Sequence, residues 1–196
     1  VTKEIAECVY TALITDTGSF HYSNTTERTF KVASELVRTG VKPAKTAEAV
    51  FASYPWSRIH LMGAVLSTAR RDETGRVACM RQSLEMRQQA QASDEDADGF
   101  VNYPLTVGEV EAVALLKECE PGVYRTSLRS KGDVNVAKVA EKFGGGGHRN
   151  AAGCTLRGSW EEAENTIVGL LLDAVKRANG AGDITEDALK ETESVI

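Results

Sequence analysis

This sequence has little histidine and no closely paired cysteines. It holds three histidines and four cysteines in 196 residues, and the cysteines (Cys8, Cys79, Cys119, Cys154) are scattered with no C-x-x-C pair. That spacing argues against a structural zinc site and against a disulfide framework. No run of about 18 apolar residues occurs, so no transmembrane helix is expected. There is no basic-then-apolar leader, which points to a cytoplasmic protein. Positive charge is also in the minority, with 23 Lys and Arg against 28 Asp and Glu, a formal net charge of −5. Such a balance argues against a long-duplex binder that works by neutralising many phosphates. What remains is ordinary for a globular chain, 42% hydrophobic and 26% charged, and long enough for one large domain or two small ones. The chain opens on Val1, directly in an apolar helical pattern, and reads as the remainder of a longer protein.

Periodicity divides the chain in two. Ile5, Val9 and Leu13, with Ala6 and Ala12 beside them, fit one helix face, which runs into the polar stretch ITDTGSFHYSNTTERTF. Thr26 is a plausible N-cap for a helix carrying Phe30, Ala33, Leu36 and Val37 that stops at Gly40. Pro43 sits where a third helix starts, and another spans Trp56 to Arg70. Residues 1–71 therefore read as helical apart from one loop. From 72 the texture is α/β: a turn at Asp72–Gly75, a strand at Val77–Arg81, a helix capped by Ser83, and an acidic turn or linker, SDEDADG. Strands at Val110–Cys119 and Val123–Arg129 flank Pro121-Gly122, and a helix capped by Asp133 or Asn135 follows. A strand at Gly153–Arg157 and an amphipathic helix from Trp160 to Ala178 complete a small domain, 72–180, with a mixed sheet. Residues 181–196 read as an acidic, frayed tail.

The stretch FGGGGHRNAAG stands out, because four consecutive glycines carry an entropic cost of about 0.5–1 kcal/mol each relative to alanine. Gly144 is well placed to end the preceding helix in the left-handed conformation. One glycine suffices for that. Gly145, Gly146 and Gly147 leave a string of backbone N–H groups of the kind that cradles phosphate oxygens, with His148 and Arg149 as donors at the rim. No GK[ST] follows, so it is not a P-loop, and no helix follows, so it is not a dinucleotide fingerprint. A helix cap with a flexible connector is the competing reading. Six bases and two acids lie between Arg125 and Arg149, a local +4 in a chain whose total is −5. A positive pocket in an acidic protein suits a short anionic ligand. Arg129 and Ser130, a fork donor and a hydroxyl at a strand end, are placed to clamp a phosphate from the other side.

RSKGDVNVAKVAEKFGGGGHRNAAG resembles the signature of the DHHA1 domain, the substrate-binding partner of DHH-family phosphoesterases. YTALITDTGSFHYSNTTERTFKVASELVRTGVKP resembles the last block of the DHH domain itself. DGFVNYPLTVGEVEAVALLKE is similar to the matching segment of the nanoRNase subfamily, the oligoribonuclease and 3′-phosphoadenosine 5′-phosphate phosphatases. The resemblance implies an α/β protein: a helical C-terminal remainder of a DHH domain (1–71), then a small DHHA1 domain (72–180).

It further implies that Asp16, in TDTG, is a ligand of a two-metal manganese cluster and so a catalytic residue. A hard divalent ion wants oxygen ligands. Thr15, Thr17, Ser23 and Asn24 then brace the loop, and His21 and His60 take no role. The family's remaining ligands come from an early D-x-D-type element and from Asp-His-His. Neither belongs to this chain, since Asp-His-His is absent and DEDAD, Asp94 to Asp98, lies in the acidic linker. The parent is expected to be a hydrolase of short oligoribonucleotides, 3′-phosphoadenosine 5′-phosphate or linear and cyclic dinucleotides. Gly144 to Gly147, His148, Arg149, Arg129 and Ser130 would hold the substrate, and the fragment alone is expected to be inactive. Short RNA or a nucleotide is the expected partner, with no membrane, and a homodimer is left open. A metal-independent nucleotide-binding module and a RecJ-like single-strand exonuclease are the alternatives.

Overall fold

The computed structural model describes residues 1–21 and 24–180, so the tail expected at 181–196 and Ser23 lie outside the described residues. The chain divides into two units, Val1–Pro55 and Trp56–Ile196.

The first unit is three helices, α1 (Lys3–Asp16), α2 (Glu27–Arg38) and α3 (Pro43–Phe51). Each starts as its local chemistry dictates. The Thr2 hydroxyl caps α1, Thr26 and Thr29 form a reciprocal capping box at α2, and Pro43 opens α3 with the one residue that lacks an N–H to satisfy. Helices α1 and α2 and Val41 form one small core of Ala6, Tyr10, Ile14, Ala33, Leu36 and Val41, against which half-buried Val50 of α3 packs. Helix α1 runs on through Asp16, into what the sequence suggested was loop. It stops in a Schellman motif, in which the Ser19 N–H donates to the Ile14 carbonyl (2.7 Å) and the Gly18 N–H to that of Thr15 (3.2 Å).

The second unit is a sheet with helices on both faces. Its elements are α4 (Trp56–Ser67), β1 (Arg70–Arg71), β2 (Val77–Gln82), α5 (Leu84–Gln89), short 3₁₀ stretches at Glu95–Ala97 and Phe100–Thr106, β3 (Ala112–Glu120), β4 (Val123–Ser130), α6 (Ala137–Glu141), β5 (Gly146–His148), β6 (Ala151–Arg157) and α7 (Trp160–Ala178). The strand order is β1-β2-β3-β4-β6-β5, with β2 and β3 parallel and the other neighbours antiparallel, so the sheet is mixed as expected.

Successive side chains of a strand point to opposite faces, and the two faces are covered unequally. One face carries Val77, Cys79, Ala112, Ala114, Leu116, Tyr124, Leu128, Ala152, Cys154 and Leu156 and is packed along its length by α6 and α7. The other face is covered chiefly over β2 and β3, where Ala78, Met80, Val113 and Leu115 meet Leu61 and Val65 of α4 and Phe100 and Val101 of the second 3₁₀ stretch. Among the described residues that second face is open over β6 and β5, while the second 3₁₀ stretch also approaches β4, where Ser127 and Arg129 are half-buried and Arg125 is exposed.

Three expectations change. Helix α4 was grouped with the helical region 1–71, but its apolar stripe is buried on the sheet, so it belongs with the second unit. The acidic linker is an ordered element. Arg58 is itself buried beneath it, its guanidinium donating to the backbone carbonyls of Asp96 and Asp98 (2.7 Å for the latter) while lying 4.7 Å over the Phe100 ring. Finally, the glycine stretch is half helix cap and half strand, because Gly146–His148 pairs with Ala151–Gly153 as an edge hairpin.

Candidate functional site

The open half-face is assembled by strand register. Arg129 of β4, Ala151 of β6 and His148 of β5 lie in one row; Ser127, Gly153 and Gly146 form the next; Arg125 and Thr155 form a third. Directly opposed residues share a face, so the three rows look out together. Burial on β4 agrees: Tyr124, Thr126, Leu128 and Ser130 are buried, while Arg125, Ser127 and Arg129 are not. The middle row has almost no side chain. It makes a flat floor between a wall of Arg129 and His148 and a wall of Arg125 and Thr155. The outer rows are four residues apart along β4, about 13 Å at strand rise.

The four glycines do different work. The Gly144 and Gly145 N–H groups donate to the carbonyls of Glu141 (3.1 Å) and Ala140 (3.0 Å), a second Schellman motif, with Gly144 at φ +68°. The Gly145 amide, one of the three expected in a phosphate nest, therefore already serves the helix cap together with that of Gly144. Gly145 and Gly147 are needed for close approach: a Cβ on Gly145 would come within 2.2 Å of the Gly153 carbonyl, and one on Gly147 within 2.4 Å of that of Ala151. Gly147 also sits at φ +146°. Of the four, Gly146 alone combines a φ outside the left-handed region with open space, nothing described lying within 4 Å of an added Cβ. Its missing side chain would stand on the open floor. Among the described residues β5 is the sheet's edge, with no strand on one side of its backbone.

The structure separates the other expected binding residues. Arg129 anchors one Nη1 N–H on the Leu128 carbonyl (2.9 Å), which steadies its guanidinium at the wall. Ser130 is the next residue of the strand and so faces away from Arg129. It is buried, its hydroxyl donating to the Val134 carbonyl (2.7 Å) and accepting from Asn150 Nδ2 (3.0 Å). Arg149 sits in the β5–β6 turn and bonds the carbonyl and carboxylate of Asp133 (2.8 and 2.9 Å). It lines a groove of about 450 Å³ between α6 and α7, with Lys138, Lys142 and Arg177. The basic cluster that looked continuous in sequence is thus divided, with Arg125 and Arg129 on the open face and Lys138, Lys142 and Arg149 at the groove.

Residues with no assigned role prove to hold the site in place. Asn150 Nδ2 also donates to the carbonyls of Gly132 (3.0 Å) and Val134 (3.2 Å), while the Val136 N–H donates to the Arg149 carbonyl (2.8 Å). The turn after His148 is therefore stitched to the segment after β4. The alternation in YRTSLRS was the available signal for the Arg125–Ser127–Arg129 row. Cys154, beneath the floor on the covered face, has its thiol pushed up to about 11 by burial and is no nucleophile.

In the first unit, Asp16 is the exposed last residue of α1, a helix with no base in its final turn. A carboxylate at the negative end of a helix dipole is disfavoured by about 0.3–1 kcal/mol. The three residues Gly18, Ser19 and Phe20 then follow at φ +55°, +57° and +67°. Left-handed non-glycine residues store strain that the surroundings must hold. Here the Thr17 hydroxyl, which donates to the Leu13 carbonyl (2.6 Å) and accepts from the Phe20 N–H (3.1 Å), and the Phe20–Phe30 ring stack hold it. Asn24 Nδ2 donates to the Asp16 carbonyl (3.0 Å). Among the described residues no group of three or more His, Cys, Asp or Glu could hold a metal ion, so Asp16 does not make a metal site on its own.

A mixed sheet with one half-face left open, bounded by an RS-ended strand and a GGGGH hairpin, defines a DHHA1 domain, and the DHHA1 family model matches residues 76–177. The chain belongs to that family. It is 38% identical over 179 residues to the bifunctional oligoribonuclease and PAP phosphatase NrnA of Thermus thermophilus, covering 90% of this chain and 53% of that protein. The Bacillus subtilis protein of the same name is 27% identical over 170 residues, 87% of this chain and 53% of its own length. Among solved structures, an exopolyphosphatase-related protein from Bacteroides fragilis superposes with a TM-score of 0.83 at 33% identity, over 88% of this chain and 51% of that one. The chain spans about half the length of these relatives. No described helix is long and apolar enough to cross a membrane.

Proposed function

We propose that the second unit is the substrate-holding domain of a phosphoesterase acting on short oligoribonucleotides or 3′-phosphoadenosine 5′-phosphate. The observation that carries this reading is the open half-face, where Arg129 and His148 flank a floor of Gly146, Gly153 and Ser127. The names of the relatives supply the substrate class. An arginine fork and an imidazole present N–H donors to phosphate oxygens. The bare floor lets a sugar or base lie against the sheet, and the edge amides of β5 add backbone donors.

Asp16 is one carboxylate of the parent's manganese site, with the other ligands supplied by residues outside this chain. Such a site, when filled, supplies the Lewis acid for phosphoester hydrolysis. This chain's own part is to fix the backbone around Asp16, through the Thr17 hydroxyl and the Asn24 amide, and to bind the substrate's phosphate on the second unit.

Titrating 3′-phosphoadenosine 5′-phosphate or a dinucleotide into the chain in the presence of chelator tests the reading. The expected result is metal-independent binding that Arg129→Ala weakens by about 1.5–3 kcal/mol, the scale for hydrogen bonds to charged groups. Equal affinity in both proteins overturns it. Under the same reading the 196-residue chain hydrolyses neither ligand when manganese replaces the chelator.

A further inference from the structure

Beyond the Arg129 wall, the open face does not end in solvent. At the Arg125 row it meets the acidic segment Ser93–Asp98, which is fastened to the sheet. Asp94 bridges two arginines, Oδ1 to Arg87 Nη1 (3.2 Å) and Oδ2 to Arg125 Nη1 (3.1 Å). Asp98 lies 3.7 Å from the ammonium of Lys117, a buried side chain in the same row as Arg125. The segment is held from below by buried Arg58 and closed on itself by the Ser93 N–H donating to Asp96 Oδ2 (2.7 Å) and the Asp96 N–H to Ser93 Oγ (3.3 Å). Arg125 already has a carboxylate on it, and Asp98 projects a largely exposed carboxylate beside it, its side chain 78% accessible.

We propose that Asp94, with Asp98, is a length stop. These residues determine specificity by denying Arg125 to a phosphate, so that a strand anchored at Arg129 is not gripped beyond its first nucleotides. The inference rests on the open half-face being the substrate face. A dinucleotide held at Arg129 does not reach a row about 13 Å away along the strand. A longer strand does, and there it meets Asp94, whose like charge repels a phosphate and whose ion pair must break before Arg125 can serve it. Selectivity for short RNA then arises from repulsion at the far wall rather than from extra attraction at the near one.

The test is a comparison of binding by chain length, with chelator present. Adenylate oligonucleotides of two, five and ten residues, each 5′-phosphorylated, are titrated into the unaltered chain, Asp94→Asn, and Asp94→Asn with Arg125→Ala. Circular dichroism confirms that each variant is folded. The asparagine keeps the shape of the aspartate and removes its charge. The expected result is that Asp94→Asn tightens the five- and ten-residue ligands by about tenfold while the dinucleotide stays within about twofold, one charge-assisted hydrogen bond being gained. Adding Arg125→Ala should abolish the gain, and raising the salt should shrink it. An equal gain for all three lengths, or a gain that survives loss of Arg125, overturns the length stop and leaves the substrate face intact. So does the absence of any gain. Failure of the unaltered chain to bind any of the three overturns the substrate face and the length stop together.

Discussion

The two halves of the one sheet differ in what lies over them. Strands β2 and β3 are covered on both faces, and Ala112 to Lys117 are buried without a break. Strands β4 and β6 are fully packed on one face and at most partly covered on the other, and their burial alternates. The same secondary structure serves stability in the first half and presents side chains in the second. A strand buried on both sides needs a continuous apolar run, while one with a wet face can spend every other position on Arg125, Ser127, Arg129 or Thr155. Residues of the covered half are therefore expected to set folding free energy, and those of the open half to set ligand affinity.

The sharpest way to break that division lies in the glycines, which belong to both. Gly147→Val combines a left-handed φ with a Cβ 2.4 Å from a carbonyl oxygen, and Gly145→Ala brings a Cβ to 2.2 Å from another. Each should cost about 3 kcal/mol or more and undo the β5–β6 hairpin, seen as a large fall in Tm. Gly146→Val should leave Tm nearly unchanged yet abolish nucleotide binding, because its side chain meets nothing but the open floor. Should Gly146→Val bind normally, the floor is not the ligand site.

Next in size is a pair of truncations. Leu116→Ala on the doubly covered β3 should destabilise by about 2–5 kcal/mol in chemical denaturation. Ser127→Ala, in the middle row of the open face, should change stability by no more than about 0.5 kcal/mol. Comparable losses would mean that the open half is covered in the folded protein after all.

Thiol labelling gives a finer contrast. Burial pushes the Cys79 thiol up to about 12, with Glu164 adding to it and Arg81 opposing, and pushes Cys154 up to about 11. Exposed Cys8 should react first with a maleimide, and Cys79 and Cys154 only on unfolding. Rapid reaction of Cys154 would show that the sheet beneath the floor opens.

The smallest effect is at the margin of the covered half, in the turn before β2. Burial pushes the Asp72 carboxyl up, but hydrogen bonds from the Thr74 hydroxyl and from the Val77 (2.8 Å), Thr74 (2.7 Å) and Arg76 amides outweigh it and hold it below its ordinary 3.8. A depressed carboxylate stabilises the fold above that ordinary value, and the contribution is lost as pH falls through the lower folded one. Asp72→Asn should lower stability slightly at neutral pH and flatten the acid limb of the stability profile. An unchanged acid limb would show that the turn carries none of it.

Most helix boundaries were legible because they are chemistry within a few residues of themselves. Thr26, Pro43 and Ser83 start helices, and Gly144 ends one, whatever the rest of the chain does. The α/β texture, the mixed sheet and the DHHA1 resemblance were equally readable, since alternation and motif order are one-dimensional. Three things were not. Helix α4 looked like its helical neighbours, and which surface covers Leu61 and Val65 depends on β2 and β3, distant in sequence. Arg129 and Ser130 looked like one clamp, but the pleat sends adjacent side chains to opposite faces, and Asn150, 20 residues on, claims the serine. The six bases from Arg125 to Arg149 looked like one positive patch. A sheet runs through them: register across β4 and β6 puts Arg125 and Arg129 on the open face, the α6 segment and the β5–β6 turn carry Lys138, Lys142 and Arg149 to the α6–α7 groove, and Lys131 bonds the Val107 carbonyl (2.8 Å). Propensity and capping act through neighbours along the chain, whereas the composition of a site is settled by which strands lie side by side.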